Sequence, residues 1–465
     1  MAALSAGAGG TQESHGAKKT EGGPVDWESS VAPENFSVLL LTWNTHGESF
    51  DHINTNEDGS SIVEKIFREG FRTLPEDQKG DMIIVSLQEI VDLDLDHIFY
   101  DSNNDIEKQV GAWEKGILST MNGARTHKGS EDIDEYSILT SRAIVGTYVL
   151  VAIKKKHIDF VDKIEVEDIR LQRYLGGAVH LGNKACLLTR FSIYRQSFSI
   201  ASVHLAAHRN NMDERIEQLQ TIFSEAWTAP TTLHAQKFNK HDHCFFLGDF
   251  NSRIIESFDT KEAYNLAGNG ASNGPNVSEH LSRLRQYDQL GCLMRSDGLV
   301  SDDLKAERTN VMDVPDSFVK FNLKHWQENE LNFCPTYKLN LKTWNESKGY
   351  KVDTTDFDKY APSWTDRILH KCLDSTCHEN TYYKSFELEK PVSDHFPVQC
   401  VVNIKMKNYT KTKREHGDID DNKSKTPMAG NSIIWDHFNI CGTSGRNEDI
   451  NGNSTGSNIR KPKVV

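Results

Sequence analysis

Several short polar motifs sit at the ends of apolar runs. They are Trp43-Asn44-Thr45-His46-Gly47, Leu87-Gln88-Glu89, Ser202-Val203-His204-Leu205, Gly248-Asp249-Phe250-Asn251, Ser363-Trp364-Thr365-Asp366-Arg367 and Ser393-Asp394-His395. Together they offer the carboxylates Glu89, Asp249 and Asp394, the amide of Asn251, the imidazoles of His204 and His395, and nearby cations. That set suits metal-assisted hydrolysis of a phosphate ester. A hard divalent cation takes one or two carboxylates, keeps waters for the substrate and neutralises charge on the phosphoryl oxygens. A further carboxylate must take a proton from the attacking water, and an amide beside it can orient that water. A histidine held by a buried aspartate can stand as a cation on the scissile phosphate. Taken singly, each motif has a plainer reading: Gly-Asp-x-Asn as a turn, His204 as a satisfied core histidine, Ser-Asp-His as a cap or turn.

The elements that must present these groups are legible from hydrophobic pattern. Phe36–Trp43, Met82–Leu87, Tyr148–Ile153, Ala185–Phe191, Phe198–His204 and Cys244–Leu247 read as strands buried on both faces, being short, β-rich and bounded by turn signals. Met212–Trp227 carries Ile216, Leu219 and Phe223 on one helical face, and Glu279–Leu293 is a second helical stretch. Many short strands with fewer helices indicate two packed sheets flanked by helices, a layered α+β domain. Loops at strand ends are where such a scaffold displays catalytic groups.

Composition bounds the rest. The chain has 465 residues and a formal net charge of −14, with a mean hydropathy of −0.57. A uniformly basic nucleic-acid binder is excluded as a first reading. A local site for an anionic substrate is not. Residues 1–33 and 406–465 are polar and lack apolar periodicity, so both are expected to be largely disordered, around a single domain over residues 34–405. The short apolar patch Ile433–Ile440 in the second segment reads as a piece that packs back on the core or as a docking peptide. The cysteines form no C-x-x-C pair and read as reduced and buried. With no apolar run of membrane-spanning length and no secretory signal pattern, the protein is expected in the cytoplasm, with peripheral membrane contact if its substrate is a lipid.

The joint order of WNTHG, SLQE, LGNK, SVHLAAH, LGDFNSR, CPTYK, PSWTDRIL and SDHFPV resembles the inositol polyphosphate 5-phosphatases, within the deoxyribonuclease-I-like endonuclease/exonuclease/phosphatase superfamily. The resemblance runs from about Val38 to Val402, and the PTYK and tryptophan-Asp-Arg motifs are its most discriminating parts. It implies a four-layer α/β sandwich of two packed, mostly antiparallel sheets flanked by helices. It further implies Mg²⁺-dependent removal of the 5-phosphate from inositol phosphates or phosphoinositide headgroups, by direct attack of water. Carried over by position, Glu89 is the principal Mg²⁺ ligand with Asn44 beside it, and Asp394 contributes to the metal. Asp249 activates the water, Asn251 holds phosphate and water, His395 sits on the scissile phosphate oriented by Asp366, and His204 is a second phosphate contact. Lys184, Asn183, Tyr337, Lys338 and Arg367 are the expected contacts to the remaining substrate phosphates, since a cation on a phosphate makes a charge-assisted hydrogen bond.

Three departures from the family pattern stand out. His46 replaces an asparagine and would make phosphate binding pH-dependent near neutrality. Ala185 replaces a glycine and narrows backbone freedom. The segment 352–361 has only Lys359 as a base, with Tyr360 where the family has arginine and Asp358 where it has lysine, which puts 4-phosphate recognition in question. Two other readings remain: a nuclease or other phosphodiesterase of the superfamily, disfavoured by the acidic charge, and a non-catalytic phosphoinositide-binding module, disfavoured by the intact Glu89, Asp249, Asn251 and His395.

Overall fold

A computed structural model describes residues 31–54, 61–72, 80–91, 102–123, 135–171, 173–175, 178–180, 184–227, 237–267, 277–295, 323–342, 349–351, 357–374 and 377–407. The expected disordered segments therefore lie outside the described residues except at their inner ends, and so do the patch 433–440 and residues 352–356. Ala32 and Met406, at those inner ends, are buried in the core just outside the expected limits of 34 and 405.

The strands are β1 Asn35–Asn44, β2 Met82–Gln88, β3 Tyr136–Ile144, β4 Thr147–Lys154, β5 Val161–Arg170, β6 Arg173–Leu175, β7 Ala178–His180, β8 Ala185–Ile193, β9 Gln196–His204, β10 His243–Asp249, β11 Asp366–Cys372, β12 His378–Ser385 and β13 Val398–Lys405. They form a six-stranded sheet, β12-β13-β1-β2-β4-β3, a five-stranded sheet, β11-β10-β9-β8-β5, and a two-stranded ribbon, β6-β7. Each large sheet contains one parallel pair, β1/β2 in the first and β9/β10 in the second, among antiparallel neighbours. The α+β sandwich expected from sequence is the observed architecture.

Strand alternation builds the layers. Val38 and Leu40 of β1 face Leu187 of β8, Ile200 of β9 and Leu247 of β10 across the space between the sheets. Leu39, Leu41 and Trp43, one position out of phase, face the other way onto Val63, Ile66, Trp113 and Ile117 of the helices Ile62–Arg72 and Ser102–Gly123. Val203, Cys244 and Phe246 of the second sheet likewise cover Ile216, Leu219 and Ile222 of the helix Met212–Glu225. Continuous apolar runs are needed because both faces of each central strand are buried. Each fully buried Leu, Ile, Val or Phe contributes about 1.5–3 kcal/mol.

The expected helix Glu279–Leu293 is two helices, Val277–Arg285 and Gln289–Met294. The break is made by Asp288, whose carboxylate accepts the Gly291 N–H at 2.8 Å and caps the second helix. In the helix Met212–Glu225, Ile222 is buried where Phe223 was expected, with Phe223 packed at the margin.

Candidate active site

The two parallel pairs decide where the chemistry lies. β1 and β2 end side by side at Asn44 and Gln88, which brings Glu89 next to Asn44. In the other sheet β9 and β10 end together at His204 and Asp249. β11 and β8 run antiparallel to these, so they begin at the same edge: Asp366 pairs with Asp249, and Ala185, just after Lys184, pairs with His204. β13 begins opposite Thr42, which places Asp394 and His395 there as well. Gly248 makes the approach possible: its φ is 144°, and a Cβ there would lie 2.1 Å from the Val203 carbonyl oxygen.

Asp249 is buried and held by three N–H donors: the backbone of Asn251 at 2.8 Å, Asn251 Nδ2 at 3.2 Å and Asn44 Nδ2 at 3.1 Å. The same Asn44 amide donates to Glu89 Oε1 at 3.1 Å, so one side chain ties the two carboxylates together. Asn44 Oδ1 accepts from the His46 backbone at 3.0 Å. Burial raises the Asp249 carboxyl to about 6, against the opposing pull of the His395 cation.

His395 is fixed from every side. Its Nδ1 lies 2.8 Å from Asp366 Oδ2, its backbone N–H donates to Ser393 Oγ at 3.1 Å, and its carbonyl accepts from Trp43 Nε1 at 3.0 Å. Asp366 Oδ2 also accepts from the hydroxyls of Thr336 at 2.7 Å and Thr365 at 2.8 Å. Burial alone would lower the imidazole; Asp366, then Asp394 and Asp249, outweigh it and raise His395 to about 9. At neutral pH the site thus holds an imidazolium beside an aspartate able to take up a proton. Such a separation of neighbouring titratable groups marks acid and base roles.

His204 differs. It is fully buried, and burial followed by the charges of Lys184 and His395 keeps it neutral well below neutral pH. Its Nε2 is 2.5 Å from Lys184 Nζ and 3.5–3.6 Å from the Asp249 and Glu89 oxygens. It therefore accepts from and positions Lys184. Burial lowers Lys184, with Glu89 and Asp249 pulling the other way.

Lys338 forms an ion pair with Asp394 Oδ2. Asp394 Oδ1 lies 3.2 Å from His46 Nδ1. Asp394 anchors Lys338 through Oδ2, while its buried Oδ1 faces the His46 imidazole and has no hydrogen-bond partner among the described residues. The Tyr337 ring lies between His395, 4.5 Å away, and the guanidinium of Arg253, 4.1 Å away.

The expected contact of Arg367 with substrate is corrected. It is buried in ion pairs with Asp288 at 2.7 Å and Glu328. Along β11 it follows Asp366, so alternation turns it to the opposite face, away from the substrate. Arg367→Met should destabilise the protein by about 3–5 kcal/mol, because Asp288 and Glu328 lose their buried partner. Denaturant unfolding would measure this. A variant of undiminished stability with a raised KM would instead return Arg367 to the substrate.

Asn183 lies outside the described residues. Ala185 starts β8 in ordinary strand pairing with His204. Among residues the sequence reading did not single out, Arg253 is the most consequential. It is buried, bonds the Asn251 side chain and backbone carbonyl, and faces Tyr337. Its signal was its place at the end of the Gly-Asp-Phe-Asn-Ser-Arg run. In the altered segment, the amines of Lys338, Lys351 and Lys359 surround the Tyr360 ring at 5.3, 5.0 and 5.2 Å.

A family model described as "Endonuclease/Exonuclease/phosphatase family 2" matches residues 41–401. Synaptojanin of Caenorhabditis elegans is 25% identical over 380 residues, covering 80% of this chain and 28% of that protein. Phosphatidylinositol 4,5-bisphosphate 5-phosphatase A of Homo sapiens is 26% identical over 393 residues, covering 80% of this chain and 31% of that protein. The chain thus spans less than a third of the length of either relative. A similar solved structure is the inositol polyphosphate 5-phosphatase domain of SPsynaptojanin, in complex with inositol (1,4)-bisphosphate and a calcium ion. Its TM-score is 0.54 at 24% identity, over 80% of this chain and 85% of that one, which shows a shared fold.

Proposed function

The chain belongs to endonuclease/exonuclease/phosphatase family 2, and on that premise we propose that it is a divalent-cation-dependent phosphatase removing the 5-phosphate of inositol polyphosphates or phosphoinositides. The observation that carries this is the pairing on one strand-end edge of a buried, proton-accepting Asp249 with an imidazolium at His395 held by Asp366. The names of the relatives supply the substrate class, and the complex of the similar structure, with an inositol bisphosphate and calcium, agrees with it.

The donor set fits a hard cation. Glu89 Oε1 and Asp249 Oδ2 converge on one amide, and both are charged oxygens of the kind Mg²⁺ takes. Glu89 would hold the metal, with Asp249 and Asn44 beside it. The bound cation would neutralise charge on the transferring phosphoryl group. The chain's own residues do the rest. Asp249 takes the proton of the attacking water at Oδ2, the oxygen turned toward Glu89 and His204. Asn251, fixed by Arg253 and by the Leu205 carbonyl at 2.9 Å, orients that water. His395 places its cation on the scissile phosphate, and Lys184 and Lys338 supply further charge.

The three lysines around Tyr360 take over the 4-phosphate grip that the altered 352–361 segment lacks. Lys351→Ala with Lys359→Ala is expected to raise KM for inositol 1,4,5-trisphosphate about tenfold with kcat nearly unchanged. For a substrate without the 4-phosphate the change should be small. Equal effects on both substrates would assign the lysines to general attraction.

Among the described residues no helix is long and apolar enough to cross a membrane. A lipid substrate would be met by peripheral contact, with protein partners of the two polar segments as a further route of recruitment. The deciding experiment measures Mg²⁺-dependent phosphate release from inositol 1,4,5-trisphosphate and from vesicles of phosphatidylinositol 4,5-bisphosphate and 3,4,5-trisphosphate. Release that stops with chelator supports the reading, and the preferred substrate fixes the branch. No release from any of them by folded protein overturns it.

A further inference from the structure

Far from Asp249, the other ends of the same strands gather histidine and cysteine. His243 opens β10 and Cys372 closes β11, paired in register, and Cys377 leads into His378 at the start of β12. β10 runs from His243 to Asp249, so this cluster lies about 20 Å from the active site at ~3.3 Å per residue. His243 Nδ1 is 3.0 Å from His378 Nε2 and 3.9 Å from Cys377 Sγ, and the three atoms lie within 4.8 Å of one another. A tetrahedral zinc ion, with Zn–N about 2.0–2.1 Å and Zn–S about 2.3 Å, sets two imidazole nitrogens roughly 3.4 Å apart and nitrogen from sulfur roughly 3.6 Å. The His243–His378 and His243–Cys377 separations differ from these by a few tenths of an ångström.

The atoms behind the cluster make an independent case. A metal-binding imidazole gives its other N–H to an acceptor, which fixes the ring and the tautomer. His243 Nε2 lies 3.1 Å from Gln196 Oε1, and His378 Nδ1 lies 3.0 Å from His370 Nδ1. Both rings therefore have an outer partner on one nitrogen and turn the other into the cluster. The thiol of Cys372, which pairs in register with His243, donates to the Asp374 carbonyl and stands outside the three-atom group. We propose that His243 Nδ1, His378 Nε2 and Cys377 Sγ form a three-ligand Zn²⁺ site separate from the catalytic centre.

His243 belongs to the five-stranded sheet and His378 to the six-stranded one. The ion would cross-link the two sheets at the end opposite the active site.

The test is cobalt substitution in the full chain, read by absorption. The expected spectrum has tetrahedral ligand-field bands and a thiolate-to-cobalt charge-transfer band. Cobalt held only by Glu89 and Asp249 would give no thiolate band, and that result in the parent protein overturns the site whatever the variants do. Cys377→Ser should abolish the band; its survival unchanged would also overturn the assignment. Gln196→Leu should weaken Zn²⁺ binding by about 10–100-fold in competition with a chromophoric chelator, with phosphate release unaffected. Unaltered affinity in that variant counts against the outer-partner geometry and so against the site.

Discussion

Asp249→Asn should lower kcat for phosphate release by roughly 10³-fold and leave KM within a few-fold of the parent. The substitution keeps the shape of the side chain and removes the carboxylate proposed to take the proton from water. General-base contributions of this kind run to about 10²–10⁴-fold. The upper part of that range is expected because the carboxylate is unusually well prepared. It is fully buried, three N–H groups fix its two oxygens, and burial brings it to about 6, close to the operating pH. The amide cannot reproduce this, since an NH₂ on either side would face the Asn44 and Asn251 donors. The loss should appear in kcat because Asp249 acts as the proton leaves the water, and an interaction made only at that stage moves kcat and kcat/KM together. Steady-state kinetics with inositol 1,4,5-trisphosphate checks this, with unfolding curves to show that the variant is folded. A variant within tenfold of the parent would remove Asp249 from the base role.

Much of this arrangement was visible in the amino-acid order, and the parts that were not have physical reasons. β1, β2, β9 and β10 could be read because each is buried on both faces and so is apolar at nearly every position. Their parallel pairing could not. It depends on which edges meet, and the turns between β1 and β2 or between β9 and β10 are too long to dictate register. Yet that pairing is what sets Asn44, Glu89, His204 and Asp249 at one edge. Asp366 as the partner of His395 came from family resemblance, because nothing in a separation of 29 residues specifies a 2.8 Å contact. Arg367 shows the opposite failure. Adjacent to Asp366 in a polar motif, it looked like part of the same site, but a strand sends neighbours to opposite faces. Its partner Glu328 sits in a stretch without periodicity, where no pattern announces a buried acid. Backbone strain was also illegible: His46, Glu89 and Asn251 all have positive φ, at 58°, 52° and 48°. Non-glycine residues in that region are uncommon and cluster at functional sites, where surrounding contacts hold them.

Asp366→Asn should cost about 10³–10⁴ in kcat although Asp366 touches no substrate atom. Its carboxylate does three things at once: it accepts from His395 Nδ1, from Thr336 and from Thr365. All three donors share Oδ2, so an asparagine can keep its oxygen at that point, but the oxygen is then neutral and no longer balances an imidazolium at His395. The imidazole would lose its proton at a lower pH, and a comparable change in a Ser-His-Asp triad costs about 10⁴-fold. The pH profile separates this positioning role from a merely structural one. In the parent, His395 is protonated up to about pH 9, so steps that need the imidazolium persist below that pH and fade above it. Burial opposes the charge and Asp366 is the main force raising it. Without that carboxylate the alkaline limb should move down by more than a pH unit. Loss of fold would lower activity at every pH and leave the limb in place. His395→Ala in the Asp366→Asn background should add little, because residues that act as a unit are lost together. An additive loss, or an alkaline limb that stays near pH 9, would mean that His395 owes its charge to Asp394 and Asp249 instead, and that the Asp366 hydrogen bond serves packing alone.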